Sequence, residues 1–240
     1  MARIATVVAT LVALVVLMLY VTNRGDDEEP ETPPGARETT EPPCPRIDSP
    51  ASDPQQYDGE KPYPDLESGV DYSAVITTSC GDIEMDLAEE QAPATVASFV
   101  FLSKEGYFDG LTWHRVVGGF VIQSGDPNGR NGEPPDGPGY TIPDELEGIK
   151  DKDYRYGTVA MANSGPNTSG SQFFVVVHDR ENSEPAGLDA AYTIFGQVEE
   201  GSFDVIDEIS RQPVEGGDDP ATAEQPRVPV YIESIEIIEN

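Results

Sequence analysis

From Tyr72 to Ile238 the apolar residues come in short alternating runs, and that pattern limits the possible folds more than any other feature of the chain. Residues 72–79 alternate and are rich in β-branched side chains, Cys80-Gly81-Asp82 makes a turn, and residues 83–87 alternate again. Two such runs around a glycine turn predict a β-hairpin. Further runs at 112–117, 120–123, 158–161, 172–177, 192–198 and 228–238 read as strands. Only two stretches carry a helical period. One follows Pro93, which suits the first turn of a helix, with Val96, Phe99, Val100 and Phe101 or Leu102 recurring up to Gly106. The other is 203–211, with Val205, Ile206 and Ile209 on one face. Many short strands and two helices predict a mainly β domain over 70–240, a closed antiparallel β-barrel with helices covering its ends.

What precedes that domain has a different composition. Residues 4–21 form an 18-residue run without charge, broken only by Thr6, Thr10 and Tyr20. At about 1.5 Å per residue it reaches roughly 27 Å, close to the thickness of a bilayer's hydrocarbon core. Residues 1–22 are therefore expected to be a transmembrane anchor, with a cleaved signal sequence as the alternative. Met18-Leu19-Tyr20-Val21-Thr22-Asn23-Arg24 offers no small-residue cleavage site, which favours the anchor. Arg3 before the run gives a slight bias towards a cytoplasmic N-terminus. Residues 23–69 read as a disordered linker: ten of the 22 prolines fall within 22–65, and Asp26-Asp27-Glu28-Glu29 opens the segment. Proline and like charges both extend a chain. This organisation places the domain outside the cytoplasm, tethered to the membrane or secreted after cleavage. In such a compartment Cys44 and Cys80 can close a disulfide, the alternative being two unrelated thiols.

The formal charge of −31 excludes some functions. A chain with 45 acidic and 14 basic side chains has no basic face for nucleic acid or for anionic lipid heads. With 37% hydrophobic residues it is not an acidic disordered tail either. Two cysteines and two histidines leave little for metal chemistry, and no metal or cofactor is expected. Asp126 and Asn128 hint at a calcium loop, but no glutamate stands at the required distance. No nucleophile elbow and no phosphate loop is present. His178, followed by Asp179-Arg180, reads as a surface residue.

Two segments are unusual. One is Trp113-His114-Arg115-Val116-Val117-Gly118-Gly119-Phe120-Val121-Ile122-Gln123-Ser124-Gly125-Asp126. Arg115 and Gln123 lie eight positions apart across a Gly-Gly bend, a spacing that can put both on one face beside Phe120. The other runs Met161-Ala162-Asn163-Ser164-Gly165-Pro166-Asn167-Thr168-Ser169-Gly170-Ser171-Gln172-Phe173-Phe174, a turn-rich loop entering an apolar strand. Gln172 and Phe174 share a face of that strand. Both segments closely resemble the cyclophilin-type peptidyl-prolyl cis–trans isomerases, the bacterial-like members included, and appear in that family's order. Gly106-Tyr107-Phe108-Asp109-Gly110 and Phe195-Gly196-Gln197-Val198 extend the resemblance over about 72–238.

The resemblance implies an enzyme that speeds rotation about X–Pro bonds and assists protein folding, with no cofactor, proline-containing polypeptides as substrates and a monomeric catalytic domain. It assigns Arg115 the role of a cation near the prolyl nitrogen and Gln123 a hydrogen bond to the substrate carbonyl. Phe120, Val121, Phe174 and Leu188 match the proline pocket, Asn163 a backbone contact to the peptide, and Gln172 a polar wall. Taken singly, the apolar residues could be plain core and Arg115 a surface ion-pair partner; their joint order favours the site. The sequence departs from the family at Gly187, where a Trp is frequent, and at Tyr192, where a His is. The missing Trp implies weak cyclosporin binding, while Tyr192 keeps an aromatic wall. The rival reading is a module that binds proline segments with little turnover.

Overall fold

A computed structural model of the chain describes residues 44–53, 55–128, 137–216 and 224–240. The expected anchor at 1–22 and the first half of the linker lie outside the described residues. Among the described residues no helix is long and apolar enough to cross a membrane. Residues 41–240 form one compact unit.

The alternating runs become eight strands: β1 (Tyr72–Thr78), β2 (Gly81–Leu87), β3 (Arg115–Val117), β4 (Val121–Ser124), β5 (Thr158–Met161), β6 (Phe173–Val176), β7 (Ile194–Val198) and β8 (Ile232–Glu239). They form one sheet in the order β3-β4-β6-β5-β7-β2-β1-β8, with antiparallel pairs throughout. The sheet curls. Thr112, just before β3, bridges Tyr231, just before β8, and Trp113 N–H donates to Val230 O at 2.9 Å. These bonds join the two ends of the sheet and explain why β3 starts three residues later than the apolar run: Thr112 and Trp113 are already paired to the other edge.

Helix α1 (Pro93–Lys104) begins with Pro in its first turn. No residue at its own N-terminus caps it. Instead Glu145, some fifty residues on, accepts from Ala94 N–H at 3.0 Å and Thr95 N–H at 2.9 Å. A carboxylate there satisfies orphan amides and opposes the helix dipole. Phe99 of α1 enters the core, its ring 5.2–5.8 Å from Phe108, Phe173 and Phe195. Helix α2 (Phe203–Ser210) buries Ile206 and Ile209 and lies against β2, β3 and β4.

One difference from the sequence concerns the segment just before the domain. The described residues of 44–69 include no strand or helix, yet they bind to the domain as a strap. Cys44 is fully buried and disulfide-bonded to Cys80 in the β1–β2 turn. Tyr63 is buried with its ring 5.5 Å from Tyr140, and Tyr57 stacks edge-on against Phe101 at 4.8 Å. Two glycines receive its backbone: a Cβ on Gly110 would lie 2.7 Å from Ala51 O, and one on Gly139 2.9 Å from Tyr57 O. Proline and acid content describe the local stiffness of this stretch; buried aromatics and a covalent link decide where it lies.

Candidate active site

β6 is the strand that betrays the site. All four of its residues are buried. In a sheet with one wet face, alternate residues should be exposed. Phe173 and Val175 face the main core inside the curled sheet. Phe174 and Val176 face outward, where Val121, Tyr154 and Ala160 join them and Phe120, Leu188, Tyr192, Ile149 and Ile194 close around. The outer face therefore carries an apolar wall of its own.

Strand register sets the polar groups beside it. Arg115 of β3 pairs with Gln123 of β4, which pairs with Phe174 of β6, which pairs with Ala160 of β5. Directly paired residues share a face, so guanidinium, amide and phenyl ring stand in a row. A hydrogen-bonded chain links them. Arg115 Nε donates to Glu224 Oε2 at 2.5 Å and Nη1 to Gln123 Oε1 at 3.5 Å. Gln123 Nε2 donates to Gln172 Oε1 at 2.8 Å, and Gln172 Nε2 to Asp126 Oδ2 at 3.2 Å. Arg115 and Glu224 keep 37% and 41% of their side-chain surface, so the guanidinium is reachable from solvent. Asp126 is buried and also accepts from Asn128 N–H at 2.9 Å.

The aromatic side is held from behind. The Tyr192 ring stands edge-on to Phe174 at 5.4 Å. Buried Tyr154 donates its hydroxyl to Tyr192 O at 2.7 Å and accepts from Tyr192 N–H at 3.1 Å. Burial pushes the Tyr154 phenol above its usual range, so it stays a neutral donor. Asn163 Nδ2 donates to Ala191 O at 2.8 Å, tying the first turn after β5 to the Tyr192 loop. Gln123, Asn163 and Gln172 line a cleft of about 290 Å³. The larger cavity, about 590 Å³, is walled by Asp86, Glu145, Glu147 and Asp153 and holds none of this donor set.

Arg115, Gln123, Phe120, Val121, Asn163, Gln172, Phe174, Leu188 and Tyr192 thus all lie on one patch. Gly187, at the frequent Trp position, is exposed with φ +74° and no atom within 4 Å of where a Cβ would sit. That backbone would strain any larger residue. His178 is only half-exposed, with Nδ1 3.0 Å from Gly119 O, so it braces the Gly-Gly bend. Glu224 and Tyr154 were not legible as site residues. Glu224 reaches Arg115 from 109 residues away and Tyr154 carries no local motif. Asp126 closes the first unusual segment, yet calcium was the only role its neighbours suggested. His114, beside Arg115, is half-buried, and desolvation lowers its pKa below the usual imidazole value against the pull of Asp126. It therefore brings no second cation to the site near neutral pH. Among the described residues no cluster could hold a metal ion.

An arginine, two amides and an apolar wall hold no nucleophile and no base poised at one. They suit a reaction in which charge moves without bonds being exchanged. The comparisons agree. Residues 73–237 match the family described as cyclophilin type peptidyl-prolyl cis-trans isomerase/CLD. The chain is 43% identical over 127 residues to a peptidyl-prolyl cis-trans isomerase of Synechococcus elongatus, covering 53% of this chain and 80% of that protein. It is 36% identical over 205 residues to a Streptococcus pyogenes protein whose name pairs a phosphatase with such an isomerase; the match covers 74% of this chain and spans less than half, 41%, of that protein. A crystal structure of a cyclophilin type isomerase from Cryptosporidium parvum superposes with a TM-score of 0.59 at 30% identity, over 71% of this chain and 99% of that one.

Proposed function

The chain belongs to the cyclophilin-type peptidyl-prolyl cis–trans isomerase family, and from that premise we propose which of its groups lower the barrier and where it acts. The protein is a peptidyl-prolyl cis–trans isomerase acting on X–Pro bonds. Rotation about such a bond loses amide resonance and crosses about 18–20 kcal/mol. Uncatalysed exchange takes tens of seconds or more. The enzyme has only to bind the twisted amide better than the planar one. As the bond twists, the prolyl nitrogen regains its lone pair, and a hydrogen-bond donor aimed there is worth more in the transition state than before it. Arg115 is that donor. Its Nε and Nη1 are engaged by Glu224 and Gln123, which fixes the guanidinium plane and leaves the remaining N–H groups for the substrate. A thousandfold acceleration requires about 4 kcal/mol. Removing one such transition-state donor costs about 2.7–4 kcal/mol, so Arg115 can supply most of it, with placement by the pocket adding the remainder. Phe120, Val121, Phe174, Leu188 and Tyr192 take the proline ring, Gln123 Nε2 meets the substrate carbonyl, and Asn163 and Gln172 border the peptide.

The observation that carries this reading is the reachable Arg115 guanidinium held at the edge of an outward apolar wall. NMR exchange on an X–Pro peptide tests it. Wild type should accelerate exchange and Arg115→Ala should lose most of the effect. Equal rates in the two would remove Arg115 from the chemistry, and no acceleration by wild type would leave a proline-binding module.

The site of action is an oxidising compartment outside the cytoplasm, with residues 1–22 as the anchor and 23–43 as its tether. The Cys44–Cys80 disulfide supports the compartment, because such bonds persist where thiols are not kept reduced. The catalytic domain acts as a monomer: bonds from residues 110–113 to Val230, Tyr231 and Ile232 occupy the start of the β8 edge, and Lys104 of α1 pairs with Glu239 at its end. Cell fractionation with protease protection tests the first claim, and sedimentation of the domain tests the second.

A further inference from the structure

The relay Arg115–Gln123–Gln172–Asp126 has a direction. A side-chain amide has an acceptor end and a donor end, and it can flip. The outcome of a flip differs sharply for the substrate. In the observed arrangement one N–H of Gln123 is taken by Gln172 and the other is left for a substrate carbonyl, while Gln123 Oε1 accepts from Arg115. In the reverse arrangement Gln123 would present an oxygen to that carbonyl and N–H groups to the guanidinium. Something must forbid the flip. The Arg115–Gln123 contact, at 3.5 Å, is at the outer limit of a hydrogen bond and is the weakest link. At the far end stands Asp126, buried to 4% exposure, whose carboxylate can only accept.

The geometry points to Asp126 as a positioning residue that sets the polarity of both glutamine amides and so aims a Gln123 N–H at the substrate. The carboxylate accepts from Gln172 Nε2, which turns Gln172 Oε1 towards Gln123, which turns Gln123 Nε2 towards Gln172 and its oxygen towards Arg115. Asp126 touches no substrate; it acts through two side chains. This inference rests on the isomerase reading, and the direction of the amides can be read without turnover.

Asp126→Asn is the first variant. It keeps the shape and keeps an oxygen for Asn128 N–H, so a purely local role for Asp126 in that turn would survive it. The polarity role would not, because the residue can now donate as well as accept. We expect kcat/KM to fall about tenfold, mostly through KM, since one ground-state hydrogen bond to substrate is lost. Adding Gln172→Glu should restore most of the loss: that carboxylate accepts from both sides and again turns Gln123 Nε2 inward. Gln172→Glu alone sets two carboxylates together and should impair activity. Side-chain amide NMR gives the second readout. The Gln123 NH2 signals should shift in Asp126→Asn and return towards wild type in the double variant. Unchanged KM together with unchanged amide signals in Asp126→Asn would overturn the inference, as would an impaired single variant that Gln172→Glu fails to rescue. If the double variant does not fold, the amide signals of Asp126→Asn decide. Failure of wild type to accelerate exchange would instead refute the isomerase reading and leave the amide result standing.

Discussion

The Arg115 face and the strap at 44–69 are the two regions in which this chain departs most from a plain curled sheet, and they depart in opposite ways. The site face is built on regular strands, leaves its key groups reachable, and is held by hydrogen bonds. The strap has no regular structure among its described residues, buries its key groups, and is held by a disulfide and aromatic contacts. One region aims chemistry from a rigid frame; the other supplies part of what keeps the frame rigid. The difference predicts that activity and stability can be removed separately.

Arg115→Ala should show the largest effect, a loss of about 100- to 1000-fold in kcat/KM, the size seen when a single transition-state donor is removed. Because Arg115 and Glu224 are both part-exposed, the melting temperature should move by no more than about 4 °C, which differential scanning calorimetry would check. Next comes the strap. Replacing both Cys44 and Cys80 by Ser opens a loop of 36-residue separation, which chain entropy values at about 4 kcal/mol. The melting temperature should fall by about 10 °C, while kcat/KM measured well below it stays within about twofold. A large drop in kcat/KM with unchanged melting would dissolve the distinction between the regions.

A smaller effect should come from Gly110→Ala. The new Cβ would meet Ala51 O at 2.7 Å, and the backbone has φ +75°. Both the clash and the conformation are unfavourable, together about 1–3 kcal/mol. Urea denaturation should show that loss, with the isomerase rate of the folded fraction unchanged. At Gly187, where no neighbour surrounds the position, the site offers no bulky side chain to a cyclic peptide. Cyclosporin should therefore inhibit weakly, and nanomolar inhibition would contradict the placing of the pocket.

The two regions also differ in how far the sequence revealed them. The strands were legible because alternation is a direct imprint of a half-buried sheet; β1, Tyr72–Thr78, buries every second residue. The row Arg115, Gln123, Phe174 was legible too, because even spacing across a Gly-Gly bend survives as register. Helix α1 was clear from Pro93 more than from its face, since Thr95 to Val100 are all buried and leave no polar side to mark a period. The strap was not legible. Tyr57 and Tyr63 sit singly among prolines and acids, and their partners Phe101 and Tyr140 lie far along the chain. Glu224 and Asp126 were missed for a related reason: a carboxylate's role is decided by what folds against it.

The smallest predicted effect lies between the regions, at His114. It is half-buried near Asp126, and residues Ser49 and Ser52 of the strap help to line the same small cavity. Its folded-state pKa lies below the unfolded value of 6.5, desolvation being the cause. The unfolded chain thus binds a proton more readily, so stability is intact above about 6.5 and declines as pH falls from there through the folded pKa. His114→Gln should flatten that decline in a series of urea titrations, and a slope unchanged from wild type would show that His114 does not titrate as a buried group.

The central claim is that Arg115 accelerates rotation while the strap stabilises the frame. NMR exchange on one X–Pro peptide, run side by side with wild type, Arg115→Ala and the double Cys44→Ser, Cys80→Ser variant at a temperature where all three are folded, tests it most directly. The account predicts exchange close to wild type for the cysteine variant and close to the uncatalysed rate for Arg115→Ala. Wild-type exchange in Arg115→Ala, or its loss in the folded cysteine variant, would contradict it.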